Sequence, residues 1–325
     1  MTIHRRVALG SLAAAAVAAA LPRTVRAQSG KALRILVGYP PGGAVDVVAR
    51  EVAEGLRPAG YTVVIENRTG ATGRLATEQM ALAPPDGGTL VFMPGGNATI
   101  FPHVYRKLKV DPLKDLVPVA VSCEFSFGFG VGPGAPVKTL NEFVDWAKAN
   151  PGKASYGSPG GGTAMHFIGV MFARAAGIEL THVPYRGGAA AMTDLLGGTL
   201  PALATTLPNL VQPHKQGKVR ILAFSGGRRL TGLPDVPTFA EAGYPGLVIT
   251  ENFGFFAHAK TPPAVLNALH VALRKAGEEP RATAALEKLE FQPVSMSQAD
   301  YAALLKADFE RWGPVVKQTG YRVED

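Results

Sequence analysis

Residues 33–56 read LRILVGYPPGGAVDVVAREVAEGL and combine a β-rich run, a Gly/Pro loop and an amphipathic segment. We expect a strand over 33–37, a loop over 39–43 and a helix over 44–56. Apolar residues at helical spacing share one face of this helix, and Asp46 and Arg50 form an i,i+4 pair outside that face. Because this strand–loop–helix unit recurs along the chain, the sequence predicts an α/β fold around largely parallel sheets.

Two blocks of this unit predict two α/β lobes. The second block begins near residue 131 and opens with a capping box at Thr139-Leu140-Asn141-Glu142. Its longest expected helix covers 163–176 and would end at Gly177. Helices expected around 265–276 and 301–319 return to the first block. We therefore expect lobe 1 to contain residues 28–128 and 251–325 and lobe 2 to contain 129–250, with connecting strands near 126–131 and 249–253.

The N-terminal 27 residues have the order of a signal peptide. Arg5 and Arg6 precede an apolar run of 15 residues, and Val25-Arg26-Ala27 follows as a small-x-small cleavage site. The run is shorter than the ~20 residues that span a bilayer as a helix. Export to the periplasm is therefore expected, by either the twin-arginine or the general secretory route.

Composition narrows the function classes. The formal charge of +8 falls to +4 once residues 1–27, with four arginines and no acid, are removed. The remaining chain has no dense basic block, which argues against a nucleic-acid partner. Cys123 is the single cysteine, so no internal disulfide is expected.

Two glycine-rich loops are the candidate binding elements. Pro40-Pro41-Gly42-Gly43 and Ser158-Pro159-Gly160-Gly161-Gly162 each stand before an expected helix. The first N–H groups of a helix lack internal partners, and the helix dipole favours an anion there. Tight turns without a ligand are the alternative reading of each loop. One loop in each block predicts an anion site in a cleft between the lobes.

Motifs of catalysis are weak in this sequence. The stretch around Ser225 lacks the first glycine of a nucleophile elbow, and residues 130–135 match a dinucleotide pattern with no helix directly after it. Paired Cys/His metal spacings are absent from the sequence. We therefore expect no catalytic residue, no metal and no cofactor.

The loops and many later strings resemble the Bug family, the periplasmic substrate-binding proteins of tripartite tricarboxylate transporters. The first is Tyr39-Pro40-Pro41-Gly42-Gly43-Ala44-Val45-Asp46. Further strings follow in the family's order across nearly the whole mature chain: Glu66-Asn67-Arg68, Pro85-Asp86-Gly87-Gly88-Thr89-Leu90, Gly157-Ser158-Pro159-Gly160-Gly161-Gly162-Thr163 with His166, His182-Val183-Pro184-Tyr185-Arg186-Gly187, Leu233-Pro234-Asp235-Val236-Pro237-Thr238 and Arg311-Trp312.

The resemblance implies a two-lobed, type II-like periplasmic-binding-protein fold in which each lobe is a mostly parallel sheet flanked by helices. It implies a monomer that holds a small organic acid, mainly through the first loop's backbone and water, and passes it to membrane permease subunits. A sensor subunit and an enzyme on the same fold are the alternatives. Val45 stands where the family usually has Thr, which implies a less polar site. The candidate ligand-binding residues are Tyr39, Pro41, Gly42, Gly43, Ala44, Val45, Asp46, Gly96, Ser158, Gly162, Thr163, His166, Tyr185 and Thr206.

Overall fold

The computed structural model describes residues 32–323, so the expected signal peptide lies outside the described residues. Ten strands and eleven α-helices alternate along this range. The strands are β1 Ala32–Val37, β2 Thr62–Asn67, β3 Thr89–Pro94, β4 Leu116–Val131, β5 Ser155–Ser158, β6 Thr181–Pro184, β7 Ala202–Thr206, β8 Arg220–Phe224, β9 Thr250–His258 and β10 Gln292–Pro293. The helices are α1 Ala44–Leu56, α2 Arg74–Ala81, α3 Gly95–Thr99, α4 Phe101–Val104, α5 Leu140–Ala149, α6 Ala164–Ala176, α7 Gly188–Leu196, α8 Leu207–Lys215, α9 Pro263–Glu278, α10 Pro280–Lys288 and α11 Gln298–Thr319.

The strands form one curled sheet in the order β2-β1-β3-β9-β4-β7-β5-β6, with β8 and β10 also paired to β4. β2, β1 and β3 are parallel to one another in lobe 1, and β6, β5 and β7 are parallel in lobe 2. Antiparallel pairing occurs where β4 and β9 enter the sheet. The parallel strands thus carry the loops that were expected to bind.

β4 is the element that joins the two lobes. It is one strand of 16 residues, whereas the sequence analysis placed only a connecting strand near 126–131. It pairs with β9 as far as Ser126, with β7 from Phe127 and with β8 from Gly128 onward. The change of partner falls beside the expected boundary between residues 128 and 129.

Helix boundaries lie where the amphipathic spacing and the capping residues predicted them. α1 begins and ends at the predicted residues, and its Val48, Val52 and Leu56 are fully buried. Thr139 caps α5 by accepting the Glu142 N–H at 3.1 Å. Gly177 ends α6 in the left-handed region, with φ of 62°. These caps fix where each helix starts or stops.

Aromatic rings fill the core where the two crossing strands meet. Phe125 and Phe253 lie 4.3 Å apart between ring centroids, and Phe92 and Phe253 lie 5.9 Å apart. Cys123 is buried beside them, and burial raises the pKa of its thiol. Within residues 32–323, none of the helices combines the length and the hydropathy that a bilayer-spanning segment needs.

Candidate functional site

A cavity of about 200 Å³ lies between the lobes at the carboxyl ends of the parallel strands. Lobe 1 contributes the loop 39–45 with Pro94 and Phe253. Lobe 2 contributes Pro159, Met165 and Met192, together with residues 187–189, Thr206 and Asn209. The site therefore lies where open α/β sheets bind ligands.

The first loop is held in shape by the buried carboxylate of Asp46. It accepts the Gly42 N–H at 2.9 Å, two guanidinium N–H bonds from Arg50, each at 2.9 Å, and the Asn67 amide at 2.8 Å. Burial by itself would raise the pKa of Asp46, but these hydrogen bonds bring the pKa below its usual value. Asp46 was expected outside the apolar face, yet it is only 2% exposed because these partners satisfy it.

The start of α1 presents backbone donors to the cavity. The N-cap residue Gly43 offers no side chain, and the N–H groups of Ala44 and Val45 have no acceptor within the described range 32–323. The Gly42 N–H is already used by Asp46, so it is not available to a ligand. The donors of this loop are therefore the N–H groups of Ala44 and Val45.

Lobe 2 brings a second helix start to the same end of the cavity. α7 follows Gly187, which has no side chain to cap it, and the N–H groups of Gly188 and Ala189 lack acceptors in the described part of the chain. A Cβ built on Gly187 would lie 3.3 Å from the ring of Pro40, so the two loops nearly touch. One anion can thus receive N–H donors and helix dipoles from both lobes.

Thr206 is the one buried side chain of the cavity wall whose hydroxyl is unpaired in residues 32–323. It is 4% exposed, and its Oγ1 has no hydrogen-bond partner. It precedes α8, and Asn209 in the first turn of that helix donates to Thr205 Oγ1 at 3.0 Å. A buried hydroxyl without a partner is costly, and the Thr206 hydroxyl is therefore free to bond a molecule in the cavity.

The second glycine loop reaches the cavity between the lobes only through Pro159, and its polar groups are braced within the protein. Ser158 Oγ donates to Gly160 O at 2.9 Å and lies 2.7 Å from His182 Nε2. Thr163 Oγ1 donates to Gly160 O at 2.8 Å and caps α6 by accepting the His166 N–H at 3.3 Å. Both hydroxyls are therefore occupied by the loop itself.

His166 and His182 form a buried stacked pair behind this loop. Their ring centroids lie 3.9 Å apart, and His166 Nδ1 accepts the Gly162 N–H at 3.2 Å. Burial lowers the pKa of His166 to about 4, and burial together with the neighbouring His166 lowers the pKa of His182 to about 3. The rings are neutral at neutral pH and hold the loop as uncharged groups.

A second cavity of about 700 Å³ adjoins the first, and Tyr39 and Gly187 line both; we name the 200 Å³ cavity the inner cavity and the 700 Å³ cavity the outer cavity. Arg186 lines it, is exposed, and has no ion-pair partner among residues 32–323. Tyr185 also lines it, and its hydroxyl donates to Asp194 at 2.7 Å. The unpaired guanidinium of Arg186 therefore lies in the wall of the outer cavity and not in that of the inner cavity.

The structure brings half of the sequence-predicted site residues to the inner cavity. Tyr39, Pro41, Gly42, Gly43, Ala44, Val45 and Thr206 line it. Asp46, Ser158, Gly162, Thr163 and His166 lie behind the walls, Tyr185 lies at the outer cavity, and the Gly96 N–H donates to Glu251 at 2.6 Å.

Sequence reasoning missed Met165, Met192, Asn209 and Phe253, and it did not treat Gly187-Gly188 as an anion site. The glycines before α7 were the available signal for that site.

The weak catalytic candidate, Ser225, is a structural residue. It is fully buried, accepts the Phe127 N–H at 2.9 Å and donates to the Ile249 carbonyl, so it ties the two connecting strands together. In the range 32–323, no group of three His, Cys, Asp or Glu side chains is placed to hold a metal ion.

Two lobes joined by crossing strands, with helix N-termini from both facing one cavity, define the class of periplasmic solute-binding proteins. The chain belongs to the tripartite tricarboxylate transporter receptor family, whose model matches residues 48–321. The resemblance to Bug proteins seen in the sequence is thereby confirmed.

The relatives agree with this assignment along almost the whole chain. A UPF0065 protein in the gbd 5' region of Cupriavidus necator is 34% identical over 323 residues, covering 97% of this chain and 96% of that protein. The periplasmic binding protein BugD is 30% identical with a TM-score of 0.85, covering 91% of this chain and 99% of its own.

Two related structures contain a ligand. A Rhodopseudomonas palustris protein with adipate is 28% identical with a TM-score of 0.86, covering 91% of this chain and 99% of its own. MatC of the same species, with bound malate, is 28% identical with a TM-score of 0.83, covering 88% and 99%.

Proposed function

We propose that this receptor captures a small carboxylate-bearing solute between its lobes and delivers it to the membrane permease subunits of a tripartite tricarboxylate-type transporter. The observation that carries the proposal is the convergence of α1 and α7 on one cavity. Their first N–H groups are unpaired in the described residues and would donate to one ligand carboxylate. Malate and adipate, the ligands of two neighbours, are both carboxylates, which supports this chemistry.

The remaining candidate residues divide into contacts and supports. Thr206 would donate its hydroxyl to the ligand, since it lines the cavity without another partner. Asp46 supports the first loop, and Thr163 and His166 support the second. The anion would thus be held by backbone groups and one hydroxyl, with no dedicated charged side chain in the inner cavity.

The proposed place of action is the periplasm. Export would follow from the signal peptide expected over residues 1–27, and cleavage after Ala27 would leave Gln28 as the first residue. Intact-mass measurement on protein from a periplasmic fraction tests this point. An uncleaved chain recovered with membranes would contradict it.

The binding function is tested by thermal shift and calorimetry on the mature protein. The panel contains benzoate, hexanoate, adipate, malate and citrate, each beside its uncharged amide. At least one carboxylate should raise the melting temperature and bind, while its amide should not, because only the anion benefits from the helix dipoles. We also expect the ligand to be recovered unchanged. Equal binding of acid and amide, or no binding in the whole panel, would contradict carboxylate capture.

A further inference from the structure

We infer that the inner cavity selects a monocarboxylate whose body is a single apolar ring, such as benzoate, over dicarboxylates of the same length. This inference rests on the proposed carboxylate capture and adds the ligand class.

The size of the inner cavity sets the first limit. Its volume is about 200 Å³. A protein cavity of about 150 Å³ holds one benzene molecule. The extra volume matches one carboxylate attached to a six-membered ring, and because the cavity is partly open, a larger body would extend out of it toward solvent or the outer cavity.

The walls beyond the helix starts are apolar on both sides. Val45 and Phe253 face the cavity from lobe 1, and Met165 and Met192 face it from lobe 2. Thioether groups make favourable contacts with aromatic rings and adapt to their shape. Phe253 is itself packed against Phe92 and Phe125, so this wall is firm. Two methionines and a fixed phenylalanine suit a flat ring.

The uncharged lining of the inner cavity disfavours a second carboxylate on the ligand. Among residues 32–323, none of those lining the inner cavity is charged. The loop before α1 and the residue before α7 approach each other at Pro40 and Gly187, so we assign the unpaired backbone donors of both helices to one anionic group. Away from these donors, from the Thr206 hydroxyl and from the Asn209 amide, a second carboxylate on the ligand would lie against Met and Phe side chains with no cationic partner, which is unfavourable. Arg186 lies only in the outer cavity.

Matched ligand pairs test this selection by calorimetry. Benzoate is compared with terephthalate, which adds a carboxylate to the same ring, and hexanoate with adipate, which adds one to the same chain. The monocarboxylate of each pair should bind at least about tenfold more tightly, because burial of an unpaired charge is costly. Dicarboxylates that bind equally or better would overturn the selection while leaving carboxylate capture intact. Absence of binding by all four would overturn the selection, and it would overturn carboxylate capture as well only if malate and citrate also fail to bind.

A charge placed in the apolar wall should reverse the preference. In Met192→Arg, terephthalate should gain affinity relative to benzoate by at least about tenfold, since its second carboxylate then finds a partner. Met171→Arg is the matched control, because Met171 is also half-buried but lies outside the cavity lining. Ala189→Arg, at an exposed position of the same lining, provides a second variant if Met192→Arg does not fold. A preference unchanged in the folded variant would overturn the inference.

Discussion

Replacement of Thr206 by valine should weaken ligand binding without weakening the fold. The Thr206 hydroxyl is buried and unpaired in the described chain, so its removal deletes no internal hydrogen bond. A buried unsatisfied hydroxyl costs about 1–3 kcal/mol, so an isosteric methyl group should leave the ligand-free melting temperature unchanged or a few degrees higher. A hydrogen bond to a charged ligand is worth about 1.5–3 kcal/mol, or roughly 10- to 150-fold in affinity.

The matched control for this variant is Thr261→Val. Thr261 is also 4% exposed and its Oγ1 is also unpaired, but it lies outside the cavity lining. It should share the neutral or positive effect on melting temperature and leave the affinity unchanged. Differential scanning calorimetry and titration calorimetry measure the two quantities on the same preparations. Wild-type affinity in Thr206→Val would refute the assignment of Thr206 as a ligand contact.

Three further predictions concern stability and motion. Between the folded pKa of His166, about 4, and the value of about 6.5 in the unfolded chain, the unfolded state binds more protons. The free energy of unfolding should therefore fall as pH drops through this window. Urea titrations at several pH values should show that His166→Asn reduces this dependence of the free energy of unfolding on pH; an unchanged dependence would contradict the assignment of a neutral buried His166. Asp46→Asn breaks the ion pair with Arg50 and should lower the free energy of unfolding by about 1–3 kcal/mol and weaken binding. The control Glu54→Gln, which alters the more exposed pair with Arg57, should do neither. Small-angle scattering should show a smaller radius of gyration with a saturating carboxylate, and an unchanged value would argue against closure of the lobes.

Local sequence signals predicted the elements well because their causes are local. The first loop and α1 follow from a β-rich run, glycines and helical spacing within residues 33–56. The capping threonine of α5 and the terminal glycine of α6 act within one helical turn. The length of β4 was not predictable in this way, because its two halves pair with strands that are distant in sequence.

The sequence predicted the parts of the candidate site that are formed by the backbone of one loop. It did not predict the parts that depend on packing between distant segments. The first loop was predicted to line the cavity because its glycines stand directly before a helix. The hydroxyls of Ser158 and Thr163 do not face a ligand because the folded loop directs both of them to the Gly160 carbonyl, and the Ser158 hydroxyl also contacts His182. This loop shape could not be read from the sequence. Met165 and Met192 look like ordinary core residues in the sequence, since only the meeting of two lobes turns them into a cavity wall.

We propose that backbone donors at the helix starts, and no charged side chain, hold the carboxylate. The most direct test is titration calorimetry on Gly43→Val and Arg186→Ala with the carboxylate that binds most tightly in the panel. A Cβ on Gly43 would meet only Pro40 O, at 3.4 Å, so valine should leave the fold intact while covering the donors of Ala44 and Val45. Gly277→Val, another open position, is the control. We predict that Gly43→Val nearly abolishes binding and that Arg186→Ala retains most of it; loss of binding in Arg186→Ala with tolerance of Gly43→Val would contradict the claim.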